Sequence, residues 1–120
     1  MRILAVILAI LAGPVAASEI TVPSGRVLTL FDVIMEPDLA RFRFVLPQAG
    51  KGVEFTDLVD DLQFLCDDVA LPALAEAGRE VPQMVISVSA EPVTFGEPTD
   101  ITQFFQPFKV DGDICGWEEF

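Results

Sequence analysis

Arg41-Phe42-Arg43-Phe44-Val45-Leu46 alternates, with Phe42, Phe44 and Leu46 on one face and the polar positions Arg41 and Arg43 on the other. A period of two marks a strand with one buried face. Upstream, Ile20-Thr21-Val22 alternates, Pro23-Ser24-Gly25 marks a turn, and Val27 to Met35 is a long β-branched-rich run. Glu36-Pro37-Asp38 breaks that run, so it and the Arg41–Leu46 strand read as a hairpin. Pro47 and the Gln48-Ala49-Gly50-Lys51-Gly52 stretch end the second strand.

The period then changes. Leu58, Leu62, Leu65 and Val69 recur at helical spacing with Cys66 beside them, giving one apolar face. Thr56 or Asp57 is the expected cap, and Asp57 and Asp60 suit the positive end of the helix dipole. Asp60, Asp61, Asp67 and Asp68 read as a solvated face. Pro72 is expected to kink or restart the helix, and Gly78 to stop it.

Strand character returns at Met84–Ala90, with Met84, Ile86 and Val88 on one face and Ser87 and Ser89 on the other. Val93-Thr94-Phe95 is a candidate extension beyond the Glu91-Pro92 break. Near the end, Asp111-Gly112 between short apolar runs is a strong hairpin signal. With those two residues as the turn, Val110 faces Asp113 and Phe108 faces Cys115, and Phe108, Val110, Cys115 and Trp117 share a face. The expected fold is α+β: a mostly antiparallel sheet of four to five strands, order β-β-α-β-(β)-β, with one Pro-kinked helix on one face.

The chain's beginning follows a different logic. Met1-Arg2, the apolar run Ile3–Ala12, the Gly13-Pro14 break and Val15-Ala16-Ala17 form the pattern of a secretory signal cut between Ala17 and Ser18. The apolar run is too short to span a bilayer, which needs about 20 residues. Residues 1–17 are therefore expected to be a cleaved signal and 18–120 a single small domain, secreted and periplasmic, with no membrane attachment after cleavage. Cleavage removes Arg2 as the one charged residue, leaving six basic against 19 acidic residues, a net −13. That balance argues against nucleic acid and against anionic lipid surfaces, both of which select clustered Lys and Arg.

Two cysteines, Cys66 and Cys115, permit one intramolecular pair in an oxidising compartment. They lack C-x-x-C spacing and no Lys or Arg lies within three residues, so a structural disulfide is expected and not a redox or metal pair. The chain contains no His, which removes Ser-His-Asp and Cys-His catalysis and His-ligated zinc. Phosphate-binding glycine loops and the G-x-S-x-G elbow are also absent. No catalytic, cofactor-binding or metal residue is therefore assigned, and no cofactor is expected. Asp111-Gly112-Asp113 departs from a calcium loop at its fifth and twelfth positions, so weak calcium binding there is the lesser reading beside a solvated hairpin tip. Carboxylate-based hydrolysis would need a cleft that so small a domain has little room to build.

The aromatics cluster: five of eleven (Phe104, Phe105, Phe108, Trp117 and Phe120) lie in the last 17 residues. Core packing is the default reading. On a strand, however, the adjacent Phe104 and Phe105 cannot both point inward, which makes them the candidate interaction surface; on a helical turn starting at Asp100 both could.

The signal, Leu65-Cys66 with Val69-Ala70-Leu71-Pro72-Ala73-Leu74, the strand Val85-Ile86-Ser87-Val88-Ser89, Thr102-Gln103-Phe104-Phe105 and Asp113-Ile114-Cys115-Gly116-Trp117-Glu118 together resemble an uncharacterised family of small secreted bacterial proteins of unknown function. The resemblance covers most of the chain after the signal and implies no catalytic or ligand residues. The expected role is a non-enzymatic binding or envelope-accessory one, with another envelope or secreted protein as partner. The alternative is a small envelope enzyme of the carboxylate-hydrolase kind, or an inhibitor of an envelope enzyme.

Overall fold

A computed structural model of the protein describes residues 18–119. The expected signal segment and the cleavage after Ala17 lie outside the described residues, as does Phe120.

The fold is α+β. Six strands form one curled sheet whose spatial order is the chain order: β1 (Ser18–Thr21), β2 (Val27–Glu36), β3 (Leu39–Val45), β4 (Gln83–Ser89), β5 (Gln103–Asp111) and β6 (Ile114–Trp117). The expected hairpin is present, with Glu36 opposite Leu39 and the turn at Pro37 and Asp38. Two corrections apply to the expected sheet. The segment around Ile20 is a strand in its own right, paired antiparallel with β2, and the terminal hairpin contributes two strands, which together bring the count to six. Val93–Phe95 is not a strand: β4 stops at Ser89, and residues 91–100 cross the sheet as a strap. The sheet is also mixed. Between β3 and β4 the chain crosses one face through a helical segment, so β4 re-enters parallel to β3 with Phe42 beside Ile86. Parallel neighbours need such a crossover, whereas the other pairs are joined by turns, loops or the strap.

The helical segment runs continuously over residues 55–76. It begins as a 3-10 turn (Phe55–Leu58), continues as α1 (Val59–Phe64), widens to a π turn (Leu65–Ala70) and ends as α2 (Leu71–Glu76). Its first residue is preceded by Glu54, not capped by Thr56 or Asp57. The Glu54 N–H donates to the Asp57 carboxylate at 2.8 Å, so Asp57 reaches back across the first turn. Pro72 neither breaks nor restarts the helix. Proline offers no N–H and its ring crowds the carbonyl four residues earlier. The turn before it is wider, with the Leu71 N–H bonded to the Cys66 carbonyl five residues back. Gly78, at φ +71°, ends the helix: its N–H donates to the Ala75 carbonyl and the Arg79 N–H to the Leu74 carbonyl. That pair of bonds is a Schellman cap.

The helix buries Leu58, Leu62, Leu65, Cys66, Ala70 and Leu74 against Phe42, Phe44, Met84, Ile86, Val88 and Phe108. Val69 packs at the margin, since the π turn gives the inward position to Ala70. Two of the four acids expected to face water do not. Asp61 is only 2% exposed. Its carboxylate accepts from the Ser24 N–H at 3.0 Å and the Ser24 hydroxyl at 2.7 Å, and lies 3.5 Å from the Arg26 guanidinium. A buried carboxylate is tolerated when its lone pairs are matched in this way, and the result pins the β1–β2 turn to the helix. Asp67 is half-buried and engaged with Cys115, as described below.

Cys66 and Cys115 form a disulfide in which both residues are buried. The terminal hairpin pairs one step further along than expected. Asp111 faces Ile114, Val110 faces Cys115 and Phe108 faces Trp117, so the turn residues are Gly112 and Asp113. Gly112 has φ +68° and Asp113 does not leave the negative-φ range, the glycine-first pattern of a type II′ turn. The shift changes every partner by two positions, so Phe108, Val110, Cys115 and Trp117 still share the helix-facing side.

Candidate functional site

Strand β5 explains the placement of Phe104 and Phe105. Residues 103–111 are extended, so successive side chains alternate between faces. Phe104 falls on the helix side, half-buried, with its ring edge-on to Phe55 at 6.1 Å. Phe105 falls on the opposite face and is 44% exposed. The helical-turn alternative does not occur.

Trp117, 36% exposed, completes a row of edge-to-face rings: 5.4 Å from Phe108 and 6.3 Å from Phe55. Edge-to-face geometry places the positive ring edge against a negative ring face and adds to what burial alone contributes. Together Phe55, Phe104 and Trp117 wall a groove of about 500 Å³ that wraps over the strand edge to Phe105. Its charged lining residues are Glu118 and Glu119.

The groove exists because β6 is short. It pairs with β5 only over residues 108–111 and leaves Trp117 at the brink. Pro107 is the cause. The next ladder pair would exchange bonds between Pro107 and Glu118; the Glu118 N–H reaches the Pro107 carbonyl at 3.2 Å, but Pro107 has no N–H to return. The buried side chain of Gln106 takes its place, its amide nitrogen lying 2.7 Å from the Glu118 carbonyl and 2.7 Å from that of Pro107.

The free edge of β6 is treated differently. The Cys115 N–H donates to the Asp67 carboxylate at 2.8 Å, and its carbonyl accepts from the Gln63 amide at 2.7 Å. The Gln63 amide also donates to Asp67 at 3.0 Å, so the helix covers that edge with a closed set of partners.

Two other hollows were not foreseen from the sequence. On the sheet face away from the helix, the strap 91–100 encloses a cleft of about 270 Å³ lined by Arg41, Arg43, Ser87, Phe95, Gln103 and Phe105. Arg43 is buried between the rings of Phe31 and Phe95, bonded to Asp32 at 2.6 Å and to the Val93 carbonyl at 2.9 Å. Arg41 lies over Phe95 and pairs with Glu36 at 3.0 Å. Each arginine has its own acid. A wider, open groove of about 960 Å³ runs between the end of α2 and the β5–β6 turn, past Asp67, Pro72, Arg79, Glu80 and Asp113. Among the described residues, no three acidic, His or Cys side chains converge as a metal-holding cluster, and Asp111 and Asp113 sit exposed at the hairpin tip.

These features define a class: a disulfide-stapled α+β domain with a six-stranded mixed sheet, one crossover helix and an aromatic groove at an unfinished strand edge. The chain belongs to DUF6497, a family of unknown function whose model matches residues 7–120. Neither a curated protein nor a solved structure gives a significant match.

Proposed function

We propose that the protein is secreted, and that it acts by binding another envelope or secreted protein and not by catalysis. The groove beside β5 is the binding surface in this reading. The observation that carries it is the aromatic wall of half-buried Phe55 and Phe104 and exposed Trp117, continued over the edge by exposed Phe105, at a place where the sheet is left incomplete. Aromatic side chains that remain accessible after folding are the usual anchors of protein interfaces. The hydrolase alternative draws less support, because the buried carboxylate of Asp61 and the half-buried one of Asp67 are already used, on Ser24 and on Cys115. Inhibition of an envelope enzyme is one form that such binding would take.

For localisation, the exported protein is expected to begin at Ser18 by intact mass; a mature chain that retains Met1 would overturn secretion by cleavage. For binding, two variants separate interface from core. Phe105→Ala removes an exposed ring and is expected to leave the melting temperature within about 2 °C. Phe104→Ala, half-buried against Phe55, is expected to cost about 2 kcal/mol. If the groove binds, Phe105→Ala and Trp117→Ala both abolish capture of the same envelope protein by the folded domain. Unchanged capture with both variants would move the surface elsewhere.

A further inference from the structure

From the hydrogen-bond register of β5 we infer that the groove takes an extended, basic peptide segment of the partner, added to the sheet as a seventh strand alongside residues 103–105. This inference rests on the binding reading above and names the partner's chemistry and mode of docking.

The register fixes which backbone groups are free. The Val110 N–H donates to Pro82 and the Thr102 carbonyl accepts from Ala90, so even-numbered residues of β5 direct their backbone groups towards β4. Odd-numbered residues direct theirs the other way: Lys109 and Asp111 to β6, and Pro107 to Glu118. Gln103 and Phe105 belong to the odd set, beyond the point where β6 stops pairing. The register turns their N–H and C=O groups towards the groove, and among the described residues no strand pairs with them on that side. Edge strands with unpaired donors and acceptors are templates for another chain. The contrast within this molecule is informative, because Asp67 and Gln63 close the equivalent groups of Cys115 on β6.

Side chains of an added strand alternate between the two sheet faces. One set would meet Phe55, Phe104 and Trp117 on the helix side, and the other would meet Phe105. Charge selects the partner's sign. Glu118 and Glu119 are the charged groups lining the groove, and the chain without its first 17 residues carries −13. A basic strand is therefore attracted, whereas a second copy of this acidic chain is repelled.

Trp117, the sole tryptophan, supplies the readout. The probes are short synthetic peptides alternating valine with lysine, a counterpart alternating valine with glutamate, and two lysine versions N-methylated at every valine or at every lysine. The lysine peptide is expected to shift Trp117 fluorescence saturably, more weakly as salt rises, while the glutamate peptide does not. Only one of the two methylation patterns turns its methyl groups towards β5, so one is expected to lose about tenfold or more in affinity and the other little. Equal binding of both methylated peptides would overturn strand addition, while capture that depends on Phe105 would still uphold the groove as a binding surface. Binding of the glutamate peptide as tightly as the lysine peptide would overturn the basic partner. A dimer in solution that Phe105→Ala dissolves would assign the edge to a second copy and overturn the inference, as would no response of Trp117 to the lysine peptide.

Discussion

Cys66→Ser and Cys115→Ser are each expected to lose about 4 kcal/mol of stability, and the double variant no more than either single one. The bridge closes a span of 49 positions, and the chain-entropy model assigns ~4 kcal/mol to a loop of that size. For a small domain that is about a third of a typical total. Where the loss appears follows from the fold. The disulfide fastens the π turn of the helix to β6, the shortest and outermost member of the β5 side of the sheet. Without it, β6 is held by its ladder to β5 and by the two bonds from Asp67 and Gln63 to Cys115. Hydrogen exchange over residues 112–119 is therefore expected to accelerate in both variants under native conditions, before the rest of the sheet opens. Denaturant melts and exchange measured on the same samples check both statements. A double variant as stable as the parent, or losses that add, would contradict a single stapling bond.

Much of this architecture was legible because burial on one face leaves a periodic trace. The alternation at Phe42, Phe44 and Leu46 and the helical spacing of Leu58, Leu62 and Leu65 name core residues directly. The inward face of the terminal hairpin was legible for a further reason. A turn moved by one residue shifts the partner of each residue by two, and a period of two is blind to that shift. So the sequence places Cys115 and Cys66 on facing core surfaces even with the wrong turn residues.

Other features leave no such trace. A π turn changes a hydrogen-bond register, and side-chain spacing over residues 65–70 does not distinguish it from an α-helix beside Pro72. The parallel pairing of β3 with β4 follows from the path of the crossover and not from either strand's own pattern. Asp61 had a signal that charge obscured: it sits three positions after Leu58 and four before Leu65, inside the apolar stripe. At the groove, alternation separates Phe104 from Phe105 at once. It does not bring Phe55 to Phe104, which is a tertiary contact across 49 positions of chain, nor does it reveal that Gln106 substitutes for the missing N–H of Pro107.

The strap 91–100 depends on one residue that alternation left on the solvent-facing side. Arg43 is 5% exposed, and its guanidinium joins β3 to Asp32 on β2 and to the Val93 carbonyl on the strap, with the Phe31 and Phe95 rings 4.9 and 5.5 Å away. Arg43→Ala removes the packing, both hydrogen bonds and both ring contacts, and is expected to cost about 3 kcal/mol. Arg43→Lys is expected to recover less than half of that. An ammonium is a point charge that cannot hold a carboxylate and a carbonyl through separate coplanar nitrogens while lying flat between two rings. Arg41 supplies the control on the same strand and face. Its pair with Glu36 is only half-buried, and Arg41 holds one partner acid against the two bonds of Arg43, so Arg41→Ala is expected to cost under about 1 kcal/mol. Hydrogen exchange should report the strap: residues 91–100 are expected to exchange faster in Arg43→Ala and Arg43→Lys, while the helix remains protected as in the parent. If Arg43→Lys melts with the parent and leaves exchange over 91–100 unchanged, the planar guanidinium is not what holds the strap, and the contact of the Phe95 ring with Arg41 must do so instead.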